Sequence, residues 1–123
     1  MMLRVARAST FAGHVTWRSG VAEAVPLDDA QATVLWSIAT VHHWRDMEAG
    51  LGEARRVLAD GGRLLAIERR RRAGATGHAS HGWTEEQAAA FVVLAESAGF
   101  TDLEVSTEEV RRGTLLAVRG RRS

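Results

Sequence analysis

The sequence predicts an α/β protein whose sheet is mainly parallel and finishes with an antiparallel strand at its C-terminal edge. Three observations carry this reading. Val34-Leu35-Trp36-Ser37-Ile38-Ala39 is a nearly continuous apolar run, as expected of a strand buried on both faces of a parallel sheet. Two helical stripes, over residues 46–59 and 84–98, each begin at a capping residue. Segments 101–110 and 113–119 then read as strands joined by the Arg111-Arg112-Gly113 turn. Alternating strands and helices followed by a hairpin give a three-layer arrangement with a reversed final strand. A length of 123 residues suits one domain, 1–123.

Each element has its own signal. Residues 2–12 mix Leu3, Val5, Ala6, Ala8 and Phe11 with Arg4 and Arg7, the pattern of an amphipathic helix end. His14 to Ser19 places Val15 and Trp17 on one face, which suggests a short strand. Pro26 and Asp28-Asp29 mark a turn. Asp46 is a plausible N-cap for a helix whose stripe is Met47, Leu51, Ala54 and Leu58, and Asp60-Gly61-Gly62 is its stop signal. Residues 63–69 read as a strand, and 69–82, rich in Arg, Gly, Ala and His, as a loop. Thr84 and Gln87 have the spacing of a capping box ahead of Phe91, Leu94, Ala95 and Ala98, and Gly99 closes that helix. The Arg119-to-Ser123 tail is expected to fray.

Composition narrows the classes. All 16 basic residues are Arg against 15 acidic ones, so the net charge of +1 gives no call for nucleic acid. The absence of Cys excludes disulfides and thiolate metal sites. Lys, Asn and Tyr, whose codons are AT-rich, are also absent, which reads as a GC-rich bacterial coding sequence. No apolar run approaches the ~18–20 residues that span a bilayer, and the first residues have no long apolar h-region. A cytoplasmic protein without a membrane partner is the expectation.

Segment 20–68 carries a family resemblance. It contains Gly20-Val21-Ala22-Glu23, Pro26-Leu27-Asp28, the run ending Ser37-Ile38-Ala39-Thr40-Val41-His42-His43-Trp44, then Glu53-Ala54-Arg55-Arg56-Val57-Leu58, Asp60-Gly61-Gly62-Arg63 and Leu64-Leu65-Ala66-Ile67-Glu68. These resemble the later part of a class I, type 11-like, S-adenosylmethionine-dependent methyltransferase. The resemblance implies a truncated Rossmann-like methyltransferase fold running from the family's third strand to its last. It also implies S-adenosylmethionine as cofactor and methyl transfer to an unknown acceptor. Gly20-Val21-Ala22-Glu23 is similar to the family's Gly-Asp-Ala-Glu, whose Asp and following N–H commonly touch adenine. Val21 replaces that Asp, leaving a backbone contact at Ala22. By the same resemblance, Gly20, Ala22, Glu23, Ser37 and Thr40 are cofactor-binding positions. His42 and His43 are candidate general bases, since imidazole titrates near neutrality. Packing at the sheet mouth is the competing role for His43-Trp44.

The family's glycine-rich loop and the acidic residue that holds the ribose have no counterpart in the sequence. The resemblance therefore implies weak cofactor binding and impaired activity for this chain by itself. The alternative is a non-catalytic homodimeric binding or scaffold protein derived from a methyltransferase. Without the strands that flank 34–39 in the family, that apolar segment becomes an open sheet edge, and a homodimer is expected, through edge pairing or through exchange of segment 1–20.

Three other readings are weaker. His42, His43, His78 and His81 do not form a convincing metal site, because His78 and His81 lie in a Gly/Ala-rich loop without an acidic neighbour. Arg69 to Arg72 is a basic cluster suited to phosphate, but no interleaved aromatics favour nucleic acid. Gly50-Leu51-Gly52 lies inside a helix stripe and follows no strand, so it fails as a dinucleotide loop.

Overall fold

A computed structural model describes residues 15–74 and 82–123, except for the side chain of His42. The described elements are β1 (Ala32–Ile38), a single 3-10 turn (Val41–His43), α1 (Met47–Val57), β2 (Leu58–Arg69), α2 (Glu85–Ser97), β3 (Phe100–Val110) and β4 (Gly113–Arg122). The expected helix over 2–12 lies outside the described residues.

The four strands form one sheet in the order β1-β2-β4-β3. β1 and β2 are parallel, with Leu35 opposite Leu64 and Ser37 opposite Ala66. β4 runs antiparallel to both β2 and β3, so β3 points the same way as β1 and β2. The α/β class and the mixed sheet are as the sequence predicts. The reversed strand lies one place in from the rim, between β2 and β3.

Both helices begin as their caps dictate. Asp46 Oδ1 accepts from the Ala49 N–H at 3.1 Å. Thr84 and Gln87 form the reciprocal capping box, with bonds of 3.1 and 2.9 Å. These side chains satisfy N–H groups that the first helical turn leaves without partners. Gly99, at φ 101°, follows α2 as its Gly signal indicates.

One core joins the two helices to one face of the sheet. It contains Leu51 and Ala54 of α1, Ala88, Phe91 and Ala95 of α2, and Leu64, Ala66, Leu116 and Val118 of the strands. The opposite sheet face carries Val34, Trp36, Ile38, Leu65, Ile67 and Leu115, and no described helix covers it. Among the described residues there are therefore two layers, where the sequence suggested three.

Several local expectations are corrected. Residues 15–19 are not a strand; Val15 is exposed and no ladder reaches it. β1 is not buried on both faces. Val34 and Ile38 are 55% exposed and Trp36 68%, because no described layer covers their face and β1 is an outer strand among the described residues. α1 ends at Val57, earlier than the Gly signal suggested, because buried Leu58 turns into extended backbone at φ −80°, ψ 136°. Gly61, at φ 76°, lies within the irregular start of β2 instead of capping the helix. The tail is paired through Arg122. Phe100 stands opposite Arg122, the Arg122 Nη1 donates to Leu58 O at 2.5 Å, and Ser123 Oγ donates to Gly99 O at 2.7 Å. No helix among the described residues is long and apolar enough to cross a membrane.

Candidate functional site

A cleft of about 920 Å³ opens at the carboxyl end of β1. Ligands of open α/β sheets sit outside the carboxyl ends of the strands, and this volume is in the usual range for such sites. Its inner wall is made by the way β1 ends. Ala39 has φ 56°, in the left-handed region that costs energy for any residue but Gly. Its N–H donates to Ile67 O at 2.8 Å, which ties the turn to β2. The Ser37 hydroxyl is hydrogen-bonded to the Thr40 hydroxyl. The His43 and Trp44 N–H groups then donate to Thr40 O and Val41 O, closing the short turn. Thr40 and His43 are thereby held against the cleft.

The outer wall is the segment from Arg18 to Pro26. The Ala24 N–H donates to Val21 O at 3.1 Å, folding 21–24 into a tight turn. A side chain at Gly20 would strike the Pro26 ring, with a Cβ 2.7 Å from Cδ, so this approach needs glycine. The Arg18 guanidinium donates to Pro26 O at 2.8 Å.

Two carboxylates fasten this wall. Glu23 Oε1 accepts from the N–H groups of Asp46 (3.2 Å) and Arg45 (2.8 Å), and the Asp46 N–H in particular holds its carboxyl below the ordinary carboxylate value. Glu53 accepts from the Arg56 side chain at 2.7 Å and the Val25 N–H at 2.8 Å, and these bonds lower its pKa in the same way. Arg56 continues the clamp to Asp29 at 2.8 Å and to Val25 O at 3.0 Å.

Gly20, Ala22, Glu23, Ser37, Thr40 and His43, all singled out in the sequence, line this one cleft. The His42 side chain is outside the described residues, as are His78 and His81. Glu23 has a structural task there, pinning residues 45–46 through Oε1. Sequence reasoning passed over Arg18 and Arg45, which also line the cleft, and gave Trp44 only a packing role. Trp44 meets Phe91 edge-on, with ring centroids 6.2 Å apart, so it joins the cleft to the core. No local signal marks the two arginines, since the turn and the helix entry bring them to the cleft.

Comparison with known proteins places this geometry in a family. The model of the methyltransferase domain matches residues 1–66, more than half of the chain. YafE, an uncharacterized protein of Escherichia coli, is 38% identical over 55 residues, covering 45% of this chain and 27% of that protein. The ubiquinone/menaquinone biosynthesis C-methyltransferase UbiE of a Caulobacter species is 42% identical over 57 residues, covering 46% of this chain and 23% of that protein. The matched regions thus span about a quarter of these curated relatives. Among solved structures, an S-adenosylmethionine-dependent methyltransferase of Thermotoga maritima superposes with a TM-score of 0.75 at 22% identity, over 99% of this chain and 69% of that one. Another, from Aquifex aeolicus, has a TM-score of 0.70 at 17% identity, over 98% of this chain and 60% of that one. These two likenesses establish the fold. The chain belongs to the methyltransferase-domain family, the class I methyltransferases whose cofactor is S-adenosylmethionine.

Proposed function

We propose that the cleft at the end of β1 is the acceptor side and adenine wall of a methyl-transfer site. The observation that carries this is the convergence of Gly20, Ala22, Glu23, Ser37, Thr40 and His43 on one opening at a strand's carboxyl end. The cofactor, when bound, supplies an electrophilic methyl group. The chain's own residues would hold the ligand edge against the Ala22 backbone and orient the acceptor near Ser37 and Thr40. His42 or His43 would take a proton from the acceptor. Alignment does much of the work in such a displacement.

This chain by itself binds the cofactor weakly and is impaired in catalysis. Val21 offers no side-chain hydrogen bond, and the Glu23 carboxylate is engaged with backbone N–H groups. No described segment forms a glycine-rich strand-to-helix loop. Neutral hydrogen bonds contribute about 0.5–1.5 kcal/mol each and charged ones about 1.5–3, so four or five fewer cost roughly 5 kcal/mol, on the order of 10³–10⁴ in affinity. Calorimetric titration with S-adenosylmethionine should give a dissociation constant in the millimolar range or weaker. A low-micromolar value would contradict the reading.

A second reading, a non-catalytic homodimer, is favoured by the exposure of Val34, Trp36 and Ile38 on an outer strand. β1 has neither Pro nor charge to discourage a further strand. Two copies would pair across a twofold axis, burying Trp36 or Trp17. Light scattering at micromolar concentration should give a dimer mass, and Ile38→Glu should shift it toward monomer more than Arg69→Glu does. Leu35 is a poorer probe than Ile38, because it packs against the helix-side core. A clean monomer mass for the unaltered chain rules this association out.

A further inference from the structure

A second cleft, of about 590 Å³, lies at the carboxyl end of β2, the strand that pairs with β1. Arg69, Arg70, Arg71 and Arg72 line one side of it, and Gly113 and Thr114 of β4 the other. Among the described residues no carboxylate lines it. Arg111 and Arg112, both exposed, form the hairpin turn immediately before Gly113.

This strip is anchored. The Arg70 N–H donates to Thr114 O at 2.9 Å, the Arg71 N–H to Trp83 O at 2.7 Å, and the Trp83 N–H to Arg69 O at 2.8 Å. Trp83 is buried in the core, so the backbone from Arg69 to Arg71 is fixed to it. Among the described residues the neutralising contacts are few. Arg70 reaches Glu85 at 3.5 Å across an exposed gap, and Arg71 donates to Gln87 at 3.1 Å, which brings no charge. Like charges held side by side repel, and an anion seated between them removes that cost. The planar guanidinium fork matches the oxygens of a phosphate or a carboxylate.

We propose that this cleft holds an oxyanion, a phosphate or carboxylate, carried by the methyl acceptor, whose reacting atom lies in the neighbouring cleft at the end of β1. The inference rests on the methyl-transfer reading and adds the chemical class of the acceptor. A small molecule fits better than a nucleic acid. The cleft sits between two strand ends, no described aromatic side chain lines it for base stacking, and the chain's net charge is only +1.

The test follows backbone amide signals of the full chain by NMR at fixed ionic strength. Inorganic phosphate, acetate and a single-stranded oligonucleotide are titrated separately. Phosphate or acetate should produce saturable shifts centred on Arg70, Arg71, Arg72 and Thr114, and the stronger of the two identifies the oxyanion. Arg69→Ala combined with Arg72→Ala should weaken that binding roughly tenfold or more. Arg63→Ala, near the other end of β2, should leave it unchanged, and Glu85→Gln should tighten it. Absence of saturation with both small anions overturns the proposal. So does an equal loss at Arg63→Ala, or an oligonucleotide that binds far more tightly than either anion. No cofactor enters these titrations, so their failure is distinct from failure of the methyl-transfer reading.

Discussion

Phe91→Ala should cost this protein about 3–5 kcal/mol of folding stability, the range for truncating a buried aromatic. Phe91 is 1% exposed and stands where three parts of the core meet. Its ring lies edge-on to Trp83, with centroids 5.0 Å apart at 80°, and edge-on to Trp44, with centroids 6.2 Å apart at 66°. Removing it leaves a cavity between α2, the cleft-lining Trp44 and the anchor of the arginine strip. Domains of this size are stable by roughly 5–15 kcal/mol, so the change takes a large share. Urea unfolding followed by tryptophan fluorescence measures it. Val93→Ala, two residues on but 63% exposed, should stay within about 0.5 kcal/mol. A loss below about 1 kcal/mol for Phe91→Ala would show that the described core is not the one that holds the fold.

Gly82→Ala should be nearly as damaging, through the backbone. Gly82 has φ 102°, and a Cβ there would lie 2.1 Å from Arg69 O. That oxygen accepts the Trp83 N–H, so the chain must move off the bridge to make room. The positive φ costs about 1–3 kcal/mol for a residue with a side chain. The two hydrogen bonds between Trp83 and the strip, lost together, add about 1 kcal/mol each. Thermal unfolding reads the loss of stability, and amide exchange at Arg71 and Trp83 reads the loss of the bridge. Unchanged melting would mean that the 69–83 contact contributes little.

How legible these features are depends on the range of the forces behind them. The capping box at Thr84 and Gln87 and the N-cap at Asp46 were readable because each involves residues three apart. The apolar run over 34–39 marks a strand but not its burial, because it does not say whether a second layer covers Trp36 and Ile38. The tail reads as a frayed polar end, yet β4 runs on through it. Gly120 leaves room for Leu103, whose Cδ2 would be only 2.7 Å from a Cβ there. That fit depends on β3, which the tail's composition cannot reveal. In the cleft, Gly20, Ala22, Ser37 and Thr40 are marked by the family resemblance and lie along one opening. Arg18 and Arg45 were missed, since Arg45 comes to the wall through its N–H bond to Glu23, 22 residues away in sequence.

Among the described residues, β1 has a ladder partner on one side only, while β2 and β4 are held on both. Strands of the second kind open only with the whole domain, whereas an outer strand can detach in a smaller, cheaper fluctuation. Ser37 rides on β1 and Thr40 on the turn just after it, so the cleft's inner wall belongs to one of the two outer, less protected strands of the sheet. A ligand finds a complete cleft only in the fraction of molecules with β1 docked, and its apparent affinity is reduced by that fraction. Anything that secures the open edge of β1, including a second copy of the chain, would therefore tighten ligand binding without touching the ligand.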